Sequence, residues 1–170
     1  MTSPSTTRTR APAGLSLRPI SDEDLPFLAE LYASTRREEL AVTPWSDEQK
    51  AAFLKWQFDL QHQYYRQYYP NCEFLIVEQL TGSACEPIGR LYVDRWADQI
   101  RLVDVSLVPD HRGQGHGTAL LREVMSEGAD TGLPVTIHVE STNPAMGLYR
   151  RLGFVHVDSN GVYHLMKWSP

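Results

Sequence analysis

Hydrophobic positions change period several times along the chain. Leu15-Ser-Leu-Arg-Pro-Ile20 alternates and predicts a first strand, which Pro19 ends or places at an edge. Ser21 reads as an N-cap before Asp22, Glu23 and Asp24, acids that suit a helix N-terminus. Leu25, Leu28, Leu31 and Tyr32 then recur at helical spacing, and Arg36-Arg37-Glu38-Glu39 closes that helix. Thr43-Pro44-Trp45 is a break. Ser46-Asp-Glu-Gln49 has the form of a capping box, in which a hydroxyl and an amide three residues on satisfy each other's free amides. The second helix runs from there to about Tyr69, where Pro70 stops it. Its Phe53, Trp56, Phe58, Leu60, Tyr64, Tyr65, Tyr68 and Tyr69 spread around the axis. That distribution suits a helix packed on two sides, or one whose aromatic surface serves a substrate pocket or a dimer contact.

The second half alternates more regularly. Phe74–Glu78, Ile88–Trp96 and Ile100–Val108 read as strands. Gly82-Ser83 and Glu86-Pro87 mark a turn between the first two, and Ala97-Asp98-Gln99 a hairpin between the next pair. Thr118 to Ala129 carries Leu120, Leu121, Val124 and Met125 on one helical face, and Gly132-Leu133-Pro134 breaks it. Val135–Glu140 alternates as a strand, Pro144–Leu152 is a short helix stopped by Gly153, and a final hairpin turns at Asn160-Gly161. The order βααβββαβαββ predicts an α/β (α+β) fold with a mixed, mostly antiparallel sheet of six or seven strands, flanked by helices.

Composition narrows the function. A chain of 170 residues is about one domain's worth, at roughly 150 residues per domain. Residues 15–170 read as that single domain, and residues 1–14, rich in Ser, Thr, Pro and Arg, as a disordered tail. The formal charge of −5 disfavours a nucleic-acid binder, although a local basic patch remains open. No apolar run reaches the ~20 residues of a membrane helix, and the N-terminus has no apolar stretch of the secretory kind, so cytoplasm is the expected compartment. Cys72 and Cys85 form no CxxC pair and are expected to be reduced thiols. His62, His156 and His164 show no ligand spacing, His111 and His116 in the glycine turn read as exposed or phosphate-adjacent, and no metal is expected.

The most informative stretch is Val108-Pro-Asp-His-Arg-Gly-Gln-Gly-His-Gly-Thr-Ala-Leu-Leu121, between a strand and an amphipathic helix. Gly113, Gly115 and Gly117 allow close backbone approach to a ligand, the helix presents free amides to phosphate, and Arg112 adds a fork of donors. A P-loop is excluded because no Gly-Lys-Ser/Thr follows. A Gly-x-Gly-x-x-Gly fingerprint fails because Thr118 or Leu120 stands at its last position. A plain tight turn is the remaining alternative to a phosphate site.

Arg112-x-x-Gly115-x-Gly117 resembles the pyrophosphate-binding loop of the GNAT superfamily of acyl-CoA-dependent N-acyltransferases, whose pattern is Gln/Arg-x-x-Gly-x-Gly/Ala. Asn143-Pro-Ala-Met-Gly-Leu-Tyr149-Arg-Arg-Leu-Gly-Phe154 is similar to that family's second half, and the element order matches from residue 15 onward. The resemblance implies a split between the fourth and fifth strands that receives the pantetheine arm of acetyl-CoA on backbone groups near Leu107 and Val108. It implies that the amides of Arg112, Gly113, Gln114, Gly115, His116, Gly117 and Thr118 hold the pyrophosphate. Such a site gains up to ~2 kcal/mol from the helix terminus. Asn143 either bonds the cosubstrate or caps the last helix.

The implied reaction transfers acetyl to a primary amine by direct attack in a ternary complex. The amine must be neutral, although an alkylamine titrates near 10, as lysine does. The leaving thiolate benefits from a proton, and Tyr149 matches the family's tyrosine that donates it; a core tyrosine is the alternative. Asp104 matches a position where some members carry an acidic base, unless Arg90 or Arg101 holds it as a cross-strand partner. Glu140 and His138, which share a face with Thr136, are further candidates. In this family the acceptor is chosen by the loop between the first two helices, the second helix and the last hairpin, here Glu38, Glu39, Trp45, the Tyr64–Tyr69 cluster and Tyr163. Acids with aromatics suit a cationic amine. A homodimer is left open, and so is a non-catalytic module that senses acyl-CoA.

Overall fold

The computed structural model describes residues 8–170. The chain forms β1 (Leu15–Pro19), α1 (Leu25–Ala41), α2 (Asp47–Tyr68), β2 (Glu73–Thr81), β3 (Ala84–Arg95) and β4 (Ile100–Leu107). It continues through α3 (His116–Thr131), β5 (Val135–Glu140), α4 (Met146–Arg151), β6 (Val155–Asn160) and β7 (Tyr163–Trp168). The strands make one seven-stranded sheet in the order β1-β2-β3-β4-β5-β7-β6. Only β4 and β5 pair in parallel; every other pair is antiparallel.

Alternation along the strands sends consecutive side chains to opposite faces. Val77 joins Leu91, Val93, Leu102, Ile137, Val139 and Met166 in a core closed by Leu120, Leu121 and Val124 of α3 and Tyr149 of α4. Ile76, its neighbour, joins Leu28, Tyr32, Leu54 and Phe58 of α1 and α2 on the other face. The Ser46–Gln49 capping box forms in both directions and starts α2. Among the described residues no helix is long and apolar enough to cross a membrane.

Two sequence expectations shift, and β4 carries a bulge. Glu86 and Pro87 do not turn the chain; they lie inside β3, opposite Gln79 and Glu78. The register slips between Val77 and Glu78, which is where a strand tolerates a proline that has no amide to donate. The helix expected from Thr118 begins at His116, because Gly115 at φ 87° already turns the chain into it. On β4, Tyr92 faces Asp104 while Val93 faces Leu102, so Val103 is an extra, bulged residue. Leu102, Val105 and Leu107 therefore share the α3 face, and Val103 stands outside that cluster.

Of the expected tail, residues 1–7 lie outside the described residues. Over 8–14 the expectation of disorder is corrected, because the chain is docked there. Glu73 accepts the Arg8 amide at 2.5 Å and the Thr9 hydroxyl at 2.7 Å, Arg95 donates to that hydroxyl at 2.8 Å, and Leu80 donates its amide to Gly14 at 3.0 Å. The partners sit on β2 and β3, more than sixty residues away, where local composition carries no sign of them.

β3 and β4 approach closely at Gly89, where a Cβ would collide with the Ser106 carbonyl oxygen and lie 2.8 Å from a Leu107 methyl. Gly89→Ala is expected to lower the unfolding free energy by about 1–3 kcal/mol, read as a reduced urea midpoint at constant m-value.

Candidate active site

β4 and β5 share only three rungs: Ile100 with Val135, Arg101 with Thr136, and Leu102 with Ile137. The ladder ends at the Val103 bulge, and bulges increase twist and terminate pairing. Beyond it the strands part. The Val108 amide donates to the Ile88 carbonyl at 2.8 Å, so the main-chain groups of Ser106 and Asp104 also face β3. By the same alternation the main-chain groups of Val105 and Leu107 face the gap. Val108, expected beside Leu107 as a backbone partner for a ligand, has both groups in use, since its carbonyl accepts the His111 amide at 3.0 Å.

The glycine turn lies at the open end of this gap. Gly113 at φ 71° and Gly115 at φ 87° adopt a left-handed backbone that disfavours a side chain. No side chain caps α3, and the first amide donated inward is that of Ala119, to Gly115 at 3.0 Å. Among the described residues the amides of Gly113, Gln114, Gly115, His116, Gly117 and Thr118 donate no backbone bond, which leaves a row of donors for an anion. The Gln114 side chain braces the turn by donating to the Asp110 carbonyl at 2.7 Å. Arg112 does not point outward over these amides. Its Nε donates to the Leu107 carbonyl at 2.8 Å and its Nη2 to the Ser34 hydroxyl at 3.1 Å, tying the turn to β4 and α1. His111 shares a hydrogen bond with Gln79 at 3.0 Å.

Tyr149 is 3% exposed and meets Phe154 edge-on at 5.7 Å. Burial, and then the negative charge of Asp104, push its phenol up, so it holds its proton throughout the neutral range. Asn143 accepts the Ala145 amide at 2.8 Å through Oδ1, the capping geometry, and its Nδ2 makes no hydrogen bond among the described residues.

Asp104 is held by Arg90, whose Nη2 and Nε donate at 2.9 and 3.2 Å. It also accepts the hydroxyls of Ser106 at 2.7 Å and Tyr65 at 3.2 Å. Arg90 is 2% exposed and donates to Gln61 as well. Of the two sequence alternatives for Asp104, the cross-strand pair with Arg90 is therefore the one formed. Glu140 accepts from Arg36 at 2.7 Å, and Arg36 also pairs with Glu39 at 2.9 Å. Burial, and then Glu140, push the Tyr163 phenol up, so Tyr163 lies beside this cluster. His138 is exposed; partial burial and then the charge of Arg101 push its imidazole down, towards the neutral form.

Glu39, through Arg36, and Tyr163, opposite Glu140 in the β5–β7 ladder, thus both lie beside the Arg36–Glu140 pair at the end of β5. Glu38 is exposed on α1. Trp45 packs edge-on against Phe53 at 5.0 Å and stands about 30 Å along α2 from Tyr65, at 1.5 Å per residue. It does not join the Asp104 cluster. Tyr65, from the aromatic cluster of the second helix, reaches Asp104. Arg36 is a site residue that sequence reasoning did not single out: it lies in an unremarkable charged run, and its partner Glu140 is 104 residues away.

A sheet parted between its parallel strands, with a glycine turn presenting free amides at the opening, defines a phosphate-and-chain binding cleft of the acyl-CoA type. Residues 27–154 match the acetyltransferase (GNAT) family, and the chain belongs to it. The chain is 25% identical over 119 residues to the [ribosomal protein bS18]-alanine N-acetyltransferase of Haemophilus influenzae, covering 69% of this chain and 76% of that one. It is 37% identical over 70 residues to the mycothiol acetyltransferase of Nocardiopsis dassonvillei, covering 41% of this chain and 21% of that enzyme. Its fold resembles PaiA N-acetyltransferase from Thermoplasma acidophilum, solved in complex with coenzyme A, with a TM-score of 0.65, 21% identity, and 92% and 99% of the two chains covered.

Removing Asp104 leaves a buried guanidinium unpaired. Asp104→Ala is expected to cost about 3–5 kcal/mol of stability. Glu140→Ala, whose pair with Arg36 is a quarter exposed on each side, is expected to cost about 1 kcal/mol or less. Chemical denaturation of the two variants checks the contrast.

Proposed function

We propose that this protein transfers an acetyl group from acetyl-CoA to a primary amine by direct attack. The observation that carries the reading is the run of six unbonded amides, Gly113 to Thr118, set at the end of a gap lined by Val105 and Leu107 backbone. These residues fit the cosubstrate: amides and a helix N-terminus for its pyrophosphate, and strand groups of β4 for the amides of its pantetheine arm. Bound there, acetyl-CoA supplies an activated thioester. Leu107 contributes its carbonyl once Arg112 releases it, which frees the Arg112 guanidinium for phosphate. Val108 contributes side-chain surface only. Asn143 offers Nδ2 while its Oδ1 caps α4.

In this reading a carbon–nitrogen bond forms and the carbon–sulfur bond breaks. The amine's proton passes to a carboxylate and the Tyr149 phenol supplies one to the departing sulfur. Glu140 is the base we assign, because its ion-pair partner among the described residues, Arg36, is partly exposed and can yield. Asp104, saturated by Arg90, Ser106 and Tyr65, orients Tyr65 and keeps the floor of the site rigid. Glu39 and Tyr163 stand where the acceptor enters, with Glu38 and Trp45 on its outer approach. The rival function, acyl-CoA sensing without transfer, draws on one feature: both candidate base carboxylates are engaged by arginines.

Calorimetric titration with acetyl-CoA, followed by assay of thiol release with amines, separates these readings. Binding that Gly115→Glu abolishes, with thiol release, supports transfer; binding without release from any amine supports sensing; no binding overturns both. Tyr149→Phe is expected to lower kcat by about 10²-fold or more and to leave acetyl-CoA affinity unchanged. Because the phenol is pushed above its usual value near 10, wild-type turnover is expected to show no loss from Tyr149 ionisation up to about pH 10, measured as kcat against pH.

A further inference from the structure

The Tyr64–Tyr69 cluster of α2 divides between two sides of the helix. Tyr65 turns inward to Asp104, and Tyr69 stacks nearly parallel on Trp96. Tyr64 and Tyr68, with ring centres 4.5 Å apart, turn outward. They continue a row that begins at Trp56 and Leu60. Residues four apart lie one above the other on a helix, so Trp56, Leu60, Tyr64 and Tyr68 form one ridge about 18 Å long at 1.5 Å per residue. Phe53, 6.0 Å from Trp56, carries the ridge on to Trp45.

The ridge is uncovered. Trp56 is 57% exposed, Leu60 47%, Tyr64 51%, Tyr68 60% and Trp45 39%. At about 200 Å² for a large side chain, that is roughly 500 Å² of apolar surface in one strip. A contiguous patch of this size marks an interaction site. A ridge is convex, whereas small molecules bind in concave sites, so it fits a macromolecular surface.

Charge and area select the partner. Ala52, Gln63 and Gln67, which flank the ridge, are exposed and uncharged. Lys55 and Asp59 pair with each other at 2.7 Å, and the Arg66 guanidinium lies 5.2 Å from the ring centre of Phe74. Among the described residues the ridge thus offers no row of cations to a nucleic-acid backbone or an anionic membrane. An identical ridge meets it without like-charge repulsion. A standard interface buries about 800 Å² on each partner, about 65% of it apolar in a homodimer, or about 500 Å². The ridge supplies that apolar area by itself. It is also its own complement. With a two-fold axis between Leu60 and Tyr64, antiparallel copies set Trp56 against the partner's Tyr68 and Leu60 against the partner's Tyr64. Rows at this spacing are the ones that most often pack into the grooves of a second helix, and Trp and Tyr are the side chains that most often anchor interfaces.

We infer that this protein is a homodimer in which the outer face of α2 packs antiparallel on the same face of a second copy, about a two-fold axis between Leu60 and Tyr64. Gln61 and Tyr65, on the inner side of the same helix, then hold Arg90 and Asp104 from a helix that the dimer braces.

Sedimentation velocity of the full chain tests this. The wild type is expected to sediment at twice the mass of one chain at about 50 µM, with a dissociation constant in the micromolar range or below. Leu60→Glu and Tyr64→Arg are each expected to raise that constant about 100-fold or more, because each places an unpaired charge at the axis. Mixed in equal amounts, the two variants are expected to form heterodimers, since the introduced carboxylate faces the introduced guanidinium across the axis. Val155→Arg, on the exposed apolar side of β6, is expected to leave the dimer unchanged. Both helix positions are about half exposed, and circular dichroism with a urea midpoint checks that each variant folds. A wild type that stays monomeric up to about 200 µM overturns the inference, whether or not it floats with phosphatidylserine vesicles instead. A dimer that survives both helix substitutions, or that only Val155→Arg breaks, is formed elsewhere and overturns it too. A mixture of the two variants that stays monomeric overturns the two-fold pairing and the inference with it.

Discussion

The parting of β4 from β5 is the constraint on which the remainder of the structure depends. A sheet normally satisfies every interior amide and carbonyl by its neighbours. Here the bulge at Val103 ends the ladder after Leu102, and the backbone of Val105 and Leu107 is left facing a gap in the middle of a seven-stranded sheet. Such polar groups need a partner. Arg112 serves Leu107 in the free protein, and a ligand with amide groups along its length serves the same function when it enters. The glycine turn follows from the same geometry, since β4 delivers the chain directly to the N-terminus of α3 at the gap's open end.

The two faces of the sheet then divide the work. On one face α3 and α4 close a continuous apolar core, and Tyr149 stands within it. On the other face α1 and α2 pack over Ile76 of β2 and reach the Arg90–Asp104 pair, while His138 of β5 is exposed. Two contacts fasten α1 across the split: Ser34 to Arg112 on the β4 side, and Arg36 to Glu140 on the β5 side. The second helix contributes Gln61 and Tyr65 to the Arg90–Asp104 pair, which places a saturated ionic knot beside the opening. Burying that knot costs desolvation, so it contributes little net stability; its effect is to hold Tyr65, Ser106 and Gln61 in one arrangement.

Local patterns were enough to place every helix and strand in order. Period-two alternation marks β5, helical spacing marks α3, and the Ser46–Gln49 box marks the start of α2 because each depends only on neighbouring residues. The glycines at 113, 115 and 117 could be read as a ligand turn for the same reason: left-handed backbone and close approach are demands that a few consecutive residues must meet themselves. Pairings across the sheet were beyond such reading. Asp104 is an acid on a strand in the sequence, and only the register that sets Arg90 and Tyr65 beside it makes it a structural anchor. Arg36 and Glu140, 104 residues apart, and the docking of Thr9 on Glu73 are likewise products of chain crossing. Side-chain chemistry and local backbone freedom belong to the sequence; which charges neutralise each other, and which are left for a ligand, is decided by tertiary distance, because electrostatic energy depends on separation in space and on burial.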